Sequence, residues 1–213
     1  MHKLRLTEIF FSLQGETRTV GLPTVFVRLT GCPLRCQYCD TAYAFHGGHW
    51  HELGAIVAEV KKYNTRYVTV TGGEPLAQKA CLPLLSALCD EGYEVSLETS
   101  GALDVSEVDS RVVKVVDIKT PGSGEVQKNH WENMSHLLPH DQLKFVICDQ
   151  GDYEWAKECL HKYKLTDSCQ VLFSPSYQQL APGLLADWIL SDQLNVRMQI
   201  QLHKVLWGDV QGK

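Results

Sequence analysis

Residues 24–41 read TVFVRLTGCPLRCQYCDT. A β-branched, apolar run fit for a strand stops at Gly31, and Gly31 with Pro33 holds the next residues in a loop. That loop carries Cys32, Cys36 and Cys39 at i, i+4 and i+7. Similar runs recur along the chain: RYVTVT (66–71), YEVSLET (93–99), RVVKVVDIK (111–119), QLKFVI (142–147), CQVLFS (169–174) and NVRMQIQL (195–202). Several suit strands buried on both faces. Between them lie segments of helical period. WHELGAIVAEVKKYN (50–64) sets Leu53, Ile56, Val57 and Val60 on one face, and 79–92 and 152–164 behave likewise. Strand followed by helix, repeated, predicts right-handed βαβ units and a parallel sheet. An open doubly wound sheet and a partial barrel both satisfy this pattern, because a complete eightfold barrel takes about 250 residues and the chain has 213.

With 44% hydrophobic and 21% charged residues, the chain has the composition of a soluble globular protein, and one domain over 1–213 is expected. A formal net charge of -5 provides no basic footprint for nucleic acid or an anionic membrane, so a small-molecule partner is expected, with no direct nucleic-acid or membrane contact. Charges, Gly and Pro interrupt every apolar run of the first thirty residues, which predicts neither signal peptide nor membrane span and points to the cytoplasm. Cys81, Cys89, Cys148, Cys159 and Cys169 stand singly among apolar neighbours and are expected to pack as small hydrophobes. TPGSGEVQKN (120–129) is the candidate for a long mobile loop.

The strand ends bear on function. They carry GCPLRCQYCDT, GGEP, SG, TPGSG and SPS in turn. Parallel α/β folds bind ligands at the carboxyl ends of their strands, so these pieces should meet on one surface. Three readings fit Cys32, Cys36 and Cys39. Structural zinc would take a fourth ligand from His46, His49 or His51. A dithiol would use Cys36 and Cys39 and leave Cys32 over. An iron–sulfur cluster on three thiolates would keep one iron open.

The C-x3-C-x2-C spacing, with Tyr38 before the last cysteine and TGGEP (71–75) after the next strand, resembles the signatures of radical S-adenosylmethionine enzymes. The resemblance implies a partial (incomplete) parallel βα barrel of about six to seven strands. It also implies a [4Fe-4S] cluster on Cys32, Cys36 and Cys39 whose open iron chelates S-adenosylmethionine, with Gly73 and Glu74 helping to hold the methionyl group. On residues alone, Gly72, Gly73 and Pro75 also suit a plain strand-to-helix turn.

FFSLQGET (10–17), CDTAY (39–43), LETSG (97–101) and QLHKVLWG (201–208), taken with the short chain, closely resemble the 7-carboxy-7-deazaguanine synthase family. That family contracts the ring of 6-carboxy-5,6,7,8-tetrahydropterin and releases ammonia. The resemblance implies a 5′-deoxyadenosyl radical that takes hydrogen from the pterin C6 and is later returned, with a flavodoxin-type protein as electron donor. Carried over residue by residue, Leu13, Gln14, Gly15, Glu16, Arg28, Thr99 and His203 bind substrate. Tyr38, Cys39, Asp40, Gly73, Glu74, Gly101, Gln142 to Lys144 (with Leu143) and Phe173 to Ser176 (with Ser174 and Pro175) bind S-adenosylmethionine. Thr41 holds Mg2+, and no protein acid or base is assigned. The chemistry is consistent: an amide pairs with both donors and acceptors on a pterin edge, a guanidinium fork suits a carboxylate, and Mg2+ prefers oxygen. Plainer readings stand beside these, namely a surface ion pair for Arg28 on an edge strand and a helix cap for Asp40-Thr41. GDVQGK runs on past Trp207. A short barrel leaves apolar edges to cover, so a homodimer is expected. The rivals are a radical activating enzyme acting on a protein glycyl partner and a zinc-stabilised binding module.

Overall fold

Along β4 (Tyr67–Gly72) valine alternates with threonine, and the alternation sorts two faces. Val68 and Val70 join the apolar core, whereas Thr69 shares a hydrogen bond with Ser96 at 2.8 Å on the other face and Thr71 opens onto a cleft. A strand of period two faces two environments, and each neighbouring strand repeats the division. The computed structural model describes residues 3–213. Its elements are β1 (Lys3–Leu13), β2 (Pro23–Leu29), β3 (His49–Glu52), α1 (Leu53–Val60), β4, α2 (Cys81–Asp90), β5 (Glu94–Thr99), β6 (Val113–Ile118), β7 (Gln142–Ile147), α3 (Gln150–Tyr163), β8 (Gln170–Pro175), α4 (Pro182–Ser191), β9 (Arg197–Met198) and α5 (Leu202–Trp207), joined by turns and short 3-10 segments.

The strands form one sheet in the order β3-β1-β2-β4-β5-β6-β7-β8-β9. From β2 through β4 to β9 the pairing is parallel, while β1 runs antiparallel to both β2 and β3. The sheet is open, with β3 and β9 at its edges, as expected of an incomplete barrel. Helices cover one face: Ile56, Val57 and Val60 of α1, Leu84, Leu85 and Leu88 of α2, and Tyr153, Ala156 and Leu160 of α3 pack on Val25, Val27, Leu97, Val116, Phe145 and Phe173. The other face is largely polar, so the strands are not apolar on both sides as the runs suggested.

Three segments depart from the sequence reading. Residues 49–52 belong to β3 and shorten the first helix to Leu53–Val60, because Trp50 and His51 pair with Arg5 and Leu4. The 195–202 run supplies a strand of only two residues before α5 begins. The 120–129 loop is a chain of 3-10 turns fastened to α3: Asp152 accepts from Thr120 Oγ1, Gly122 N and Cys148 N at 2.9, 2.7 and 3.0 Å. All eight cysteines are free; Cys81, Cys159 and Cys169 are buried, and Cys89 and Cys148 are half-buried.

A loop from the opposite end of the sheet closes the bottom. After β1 the chain turns at residues 14–22 beneath the strands' amino ends. There Arg18 N donates to Gln142 Oε1 at 2.9 Å, its guanidinium meets Glu94, and Thr17 N donates to Gln199 Oε1 at 2.9 Å. Thr17 is held at φ 67, a left-handed conformation uncommon for a β-branched residue. This plug lifts Gln14 and Glu16 into the interior.

Candidate active site

The carboxyl ends of β2 and β4 to β8 open onto a cleft of about 360 Å³. Cys32, Cys36, Tyr38, Cys39, Asp40 and Thr41 form one wall. The loop that carries them sits directly on the TGGEP turn: a Cβ at Gly73 would lie 2.3 Å from Gly31 O, and one at Gly72 2.2 Å from Leu29 O. The close approach that this glycine pair allows is therefore first of all to the cysteine loop's own backbone. Partial burial raises all three thiols above their ordinary value, and Lys119 opposes the effect. Lys119 is itself paired with Asp117 at 2.9 Å, and Tyr38 Oη is buried nearby without a partner. Three free, half-buried thiols on one cleft wall beside a buried cation fit a thiolate-held cluster and an anionic group next to it. His46, His49 and His51 do not line the cleft, and His49 and His51 belong to β3.

The floor is polar. Gln14 Nε2 donates to Glu98 Oε1 and Thr69 Oγ1 at 3.2 and 3.1 Å; Thr71 Oγ1 donates to Glu98 Oε2 at 2.9 Å. Lys144 reaches Glu16 at 2.8 Å and Asp117 at 3.4 Å, and these carboxylates hold its ammonium well above its ordinary pKa despite burial. Arg28 pairs with Glu8 at 2.8 Å, its guanidinium 5.4 Å from the Phe10 ring and 5.8 Å from Tyr43. Because β2 is an interior strand, Arg28 is no edge-strand surface charge; it points into the cleft.

α5 covers the mouth. Leu202 N donates to Gly15 O at 2.9 Å, and His203 lies so close to the plug that a Cβ on Gly15 would stand 2.0 Å from its Nδ1. Burial lowers the His203 pKa. Lys204 Nζ and Gln201 Nε2 meet Asp40 Oδ2 at 3.1 and 3.0 Å, and Thr41 Oγ1 donates to Asp40 Oδ1 at 2.8 Å. Desolvation pushes the Asp40 carboxyl up, but Lys204 and these hydrogen bonds outweigh it and hold it well below the usual carboxylate range. Residues 208–213 also line the cleft.

Of the residues expected from sequence, Leu13, Gln14, Gly15, Glu16, Arg28, Thr99, His203, Gly73, Lys144, Ser174, Pro175 and Ser176 line the cleft with the cysteine loop. Five of the expected residues do not line the cleft. Glu74 is fully buried, and its carboxylate is saturated by Thr99 Oγ1, Ser100 N, Ser100 Oγ and Leu76 N, so it ties the turn to β5. Gln142 starts β7 at the amino end and anchors the plug. Leu143 and Phe173 have the strand phase that faces the helices and belong to the core. Gly101 lies outside the cleft lining; with φ +73, a Cβ there would meet Asp117 O at 2.5 Å. Sequence reasoning missed Asp117, Lys119 and Lys204. VDIK, with polar residues two apart at a strand end before TPGSG, was the available signal for the first two. Lys204 had none beyond its place beside His203.

The Radical SAM superfamily profile matches residues 26–117, the span that carries the thiols, the TGGEP turn, Glu98 and Asp117. The fold and site thus define a radical S-adenosylmethionine enzyme, a class built on a [4Fe-4S] cluster and S-adenosylmethionine. Over 208 residues the chain is 44% identical to the 7-carboxy-7-deazaguanine synthase of Chlorobaculum tepidum, covering 96% of this chain and 94% of that one. It is 43% identical to the synthase of Koribacter versatilis, covering 96% and 97%. The crystal structure of QueE from Escherichia coli superposes with a TM-score of 0.77 at 24% identity, over 94% of this chain and 95% of that one. The chain belongs to the 7-carboxy-7-deazaguanine synthase family.

Proposed function

We propose that the whole chain, 1–213, acts as one catalytic unit that converts 6-carboxy-5,6,7,8-tetrahydropterin to 7-carboxy-7-deazaguanine and ammonia on the way to queuosine or a related deazapurine. The observation that carries this reading is the meeting, in one cleft, of three thiols with an amide, a carboxylate and a guanidinium suited to a carboxypterin. Cys32, Cys36 and Cys39 would hold the cluster, which when bound supplies the electron that cleaves S-adenosylmethionine. Tyr38, Asp40 and Gly73 line the adjoining wall, Lys119 is the cation suited to the methionyl carboxylate, and Ser174, Pro175 and Ser176 bound the far side. Gln14 and Glu16 offer amide and carboxylate to the pterin edge; Arg28 and His203 face the substrate carboxylate; Thr99 and Leu13 complete the pocket. Arg28 is held ready between two rings and Glu8, so it is oriented before substrate arrives. Thr41 gives a hydroxyl at the cleft edge, and with substrate oxygens and water it suits Mg2+. A flavodoxin-type reductant, a homodimer and a cytoplasmic setting complete the proposal; no helix among the described residues is long and apolar enough to cross a membrane.

Anaerobic purification, iron and sulfide quantitation, and incubation with dithionite, S-adenosylmethionine, Mg2+ and the carboxypterin test the reading. A brown protein that forms 7-carboxy-7-deazaguanine by mass supports it. A brown protein without that product discards the pterin and favours a protein substrate, and a colourless zinc protein discards both.

A further inference from the structure

Among the described residues that line the cleft, Glu16 pairs with Lys144, Asp117 with Lys119 and Lys144, and Asp40 and Asp209 with Lys204. Glu98 is the cleft-lining side-chain carboxyl with no lysine or arginine in ion-pair contact. Its two oxygens accept only from the neutral groups of Gln14 and Thr71. Arg28 is taken up by Glu8, and Lys144 is shared by Glu16 and Asp117. The charged groups that act on Glu98 are Lys144 from β7, Glu16 from the plug and Arg28 from β2; Asp117 from β6 and His203 of α5 line the same cleft. Burial, reinforced by Glu16 and opposed by Lys144 and Arg28, raises the Glu98 pKa.

Resting on the carboxypterin reading above, substrate and product differ by one ammonia, so ring contraction must end with an elimination that no assigned residue serves. We propose that Glu98 is the acid–base residue of that elimination. Its carboxyl proton goes to the departing amine as the carbon–nitrogen bond breaks. The resulting carboxylate takes the proton from the adjacent ring carbon, whose C–H electrons form the new carbon–carbon double bond. One C–N and one C–H bond are lost, one N–H bond and the second bond of the alkene are gained, and Glu98 ends protonated, with no net oxidation. Other groups are poorly placed for this cycle: guanidinium does not deprotonate in proteins, both Lys119 and Lys144 are held charged by carboxylates, and Asp117 is held ionised by those lysines. Position agrees, because a pterin edge seated on Gln14 lies against the carboxyl to which Gln14 is bonded.

The test uses the reconstituted full-length enzyme with C6-deuterated carboxypterin, comparing wild type with Glu98→Gln. The amide keeps the shape and cannot pass a proton. Product formation should fall by about a hundredfold or more, deuterium should still pass from substrate into S-adenosylmethionine, and an isomer with the mass of the unlabelled carboxypterin should accumulate. Product at near wild-type rate, or weakened pterin binding with the maximal rate intact, overturns the proposal; the latter would make Glu98 a reader of the pterin edge. Infrared spectra of the cofactor-free protein decide independently of turnover. A protonated-carboxyl band present at neutral pH in wild type and absent from Glu98→Gln is expected, and its absence from wild type overturns the proposal. A wild-type enzyme that makes no deazaguanine defeats the substrate reading instead.

Discussion

Strands β6 and β7 carry a lysine–carboxylate pair at each end, with the partners exchanged. At the amino end Lys114 of β6 meets Asp141, just before β7, at 2.9 Å; at the carboxyl end Asp117 of β6 faces Lys144 of β7 at 3.4 Å. The first pair is closed. Asp141 also accepts from Lys114 N and Leu138 N, and the two side chains are 3% and 0% exposed, so nothing is left over for a ligand. The second pair is the centre of an open set with Lys119 and Glu16 that lines the cleft. Buried charge whose bonds are all made within the fold serves the fold, whereas buried charge aimed at a cavity retains capacity for something else.

The same contrast separates the thiols, and it gives the largest expected effect. Cys36→Ala should abolish cluster assembly and activity, while Cys159→Ala, at a core position, should leave both intact; equal iron loss in the two would break the distinction. Next, Asp141→Ala should cost about 3–5 kcal/mol by urea denaturation, because it leaves the Lys114 charge buried without its partner. Lys144→Met should instead lower kcat/KM by about a hundredfold with a much smaller change in urea midpoint. A stability loss to match Asp141→Ala would place both pairs in the closed class. Gly15→Ala, which drives a methyl into His203, should raise the KM for the carboxypterin by about tenfold and leave iron content unchanged.

The smallest effect concerns Asp40, half open at the cleft mouth. Its folded pKa is depressed, so the latch to Lys204 contributes stability above the ordinary carboxylate pKa, and that contribution fades as pH falls through the folded value. Asp40→Asn should therefore lower thermal stability slightly at neutral pH and not at strongly acidic pH. The same loss at both pH values would mean that the latch is not electrostatic.

How much could be read from sequence depended on how local the information was. Cys32, Cys36 and Cys39 lie within eight residues, and the glycine pair of TGGEP comes at the end of a strand, so the thiol wall could be recognised without a fold. QLK and FSPS were harder, because a contiguous match ignores strand phase. Lys144, Ser174 and Ser176 face the cleft, Leu143 and Phe173 face the helices, and Gln142 shares the phase of Lys144 but lies at the wrong end. Apolar Leu143 and Phe173 carried that information, since period two turns neighbours to opposite sides. The β1–β3 pairing was not legible for a different reason. A register shift between Leu6 and Glu8 breaks the alternation of β1, and β3 borrows residues that also fit a helix. α5 closes over the site through contacts to Asp40 and Gly15 that are distant in sequence and leave no local pattern.

The plug and the cysteine loop are the two ends of one strand. Chain leaving the floor at Gln14 and Glu16 returns through the turn at residues 17–22, climbs β2 for seven residues, and emerges as the thiol wall. β2 is thus a ruler. At about 3.3 Å per residue, its length sets the height of the thiol wall above the polar floor, and Arg28, one residue below its top, puts its guanidinium into the cleft between the two. The distance from thiols to floor and the level of the guanidinium are gauged along the same strand, so a change in its length would alter both.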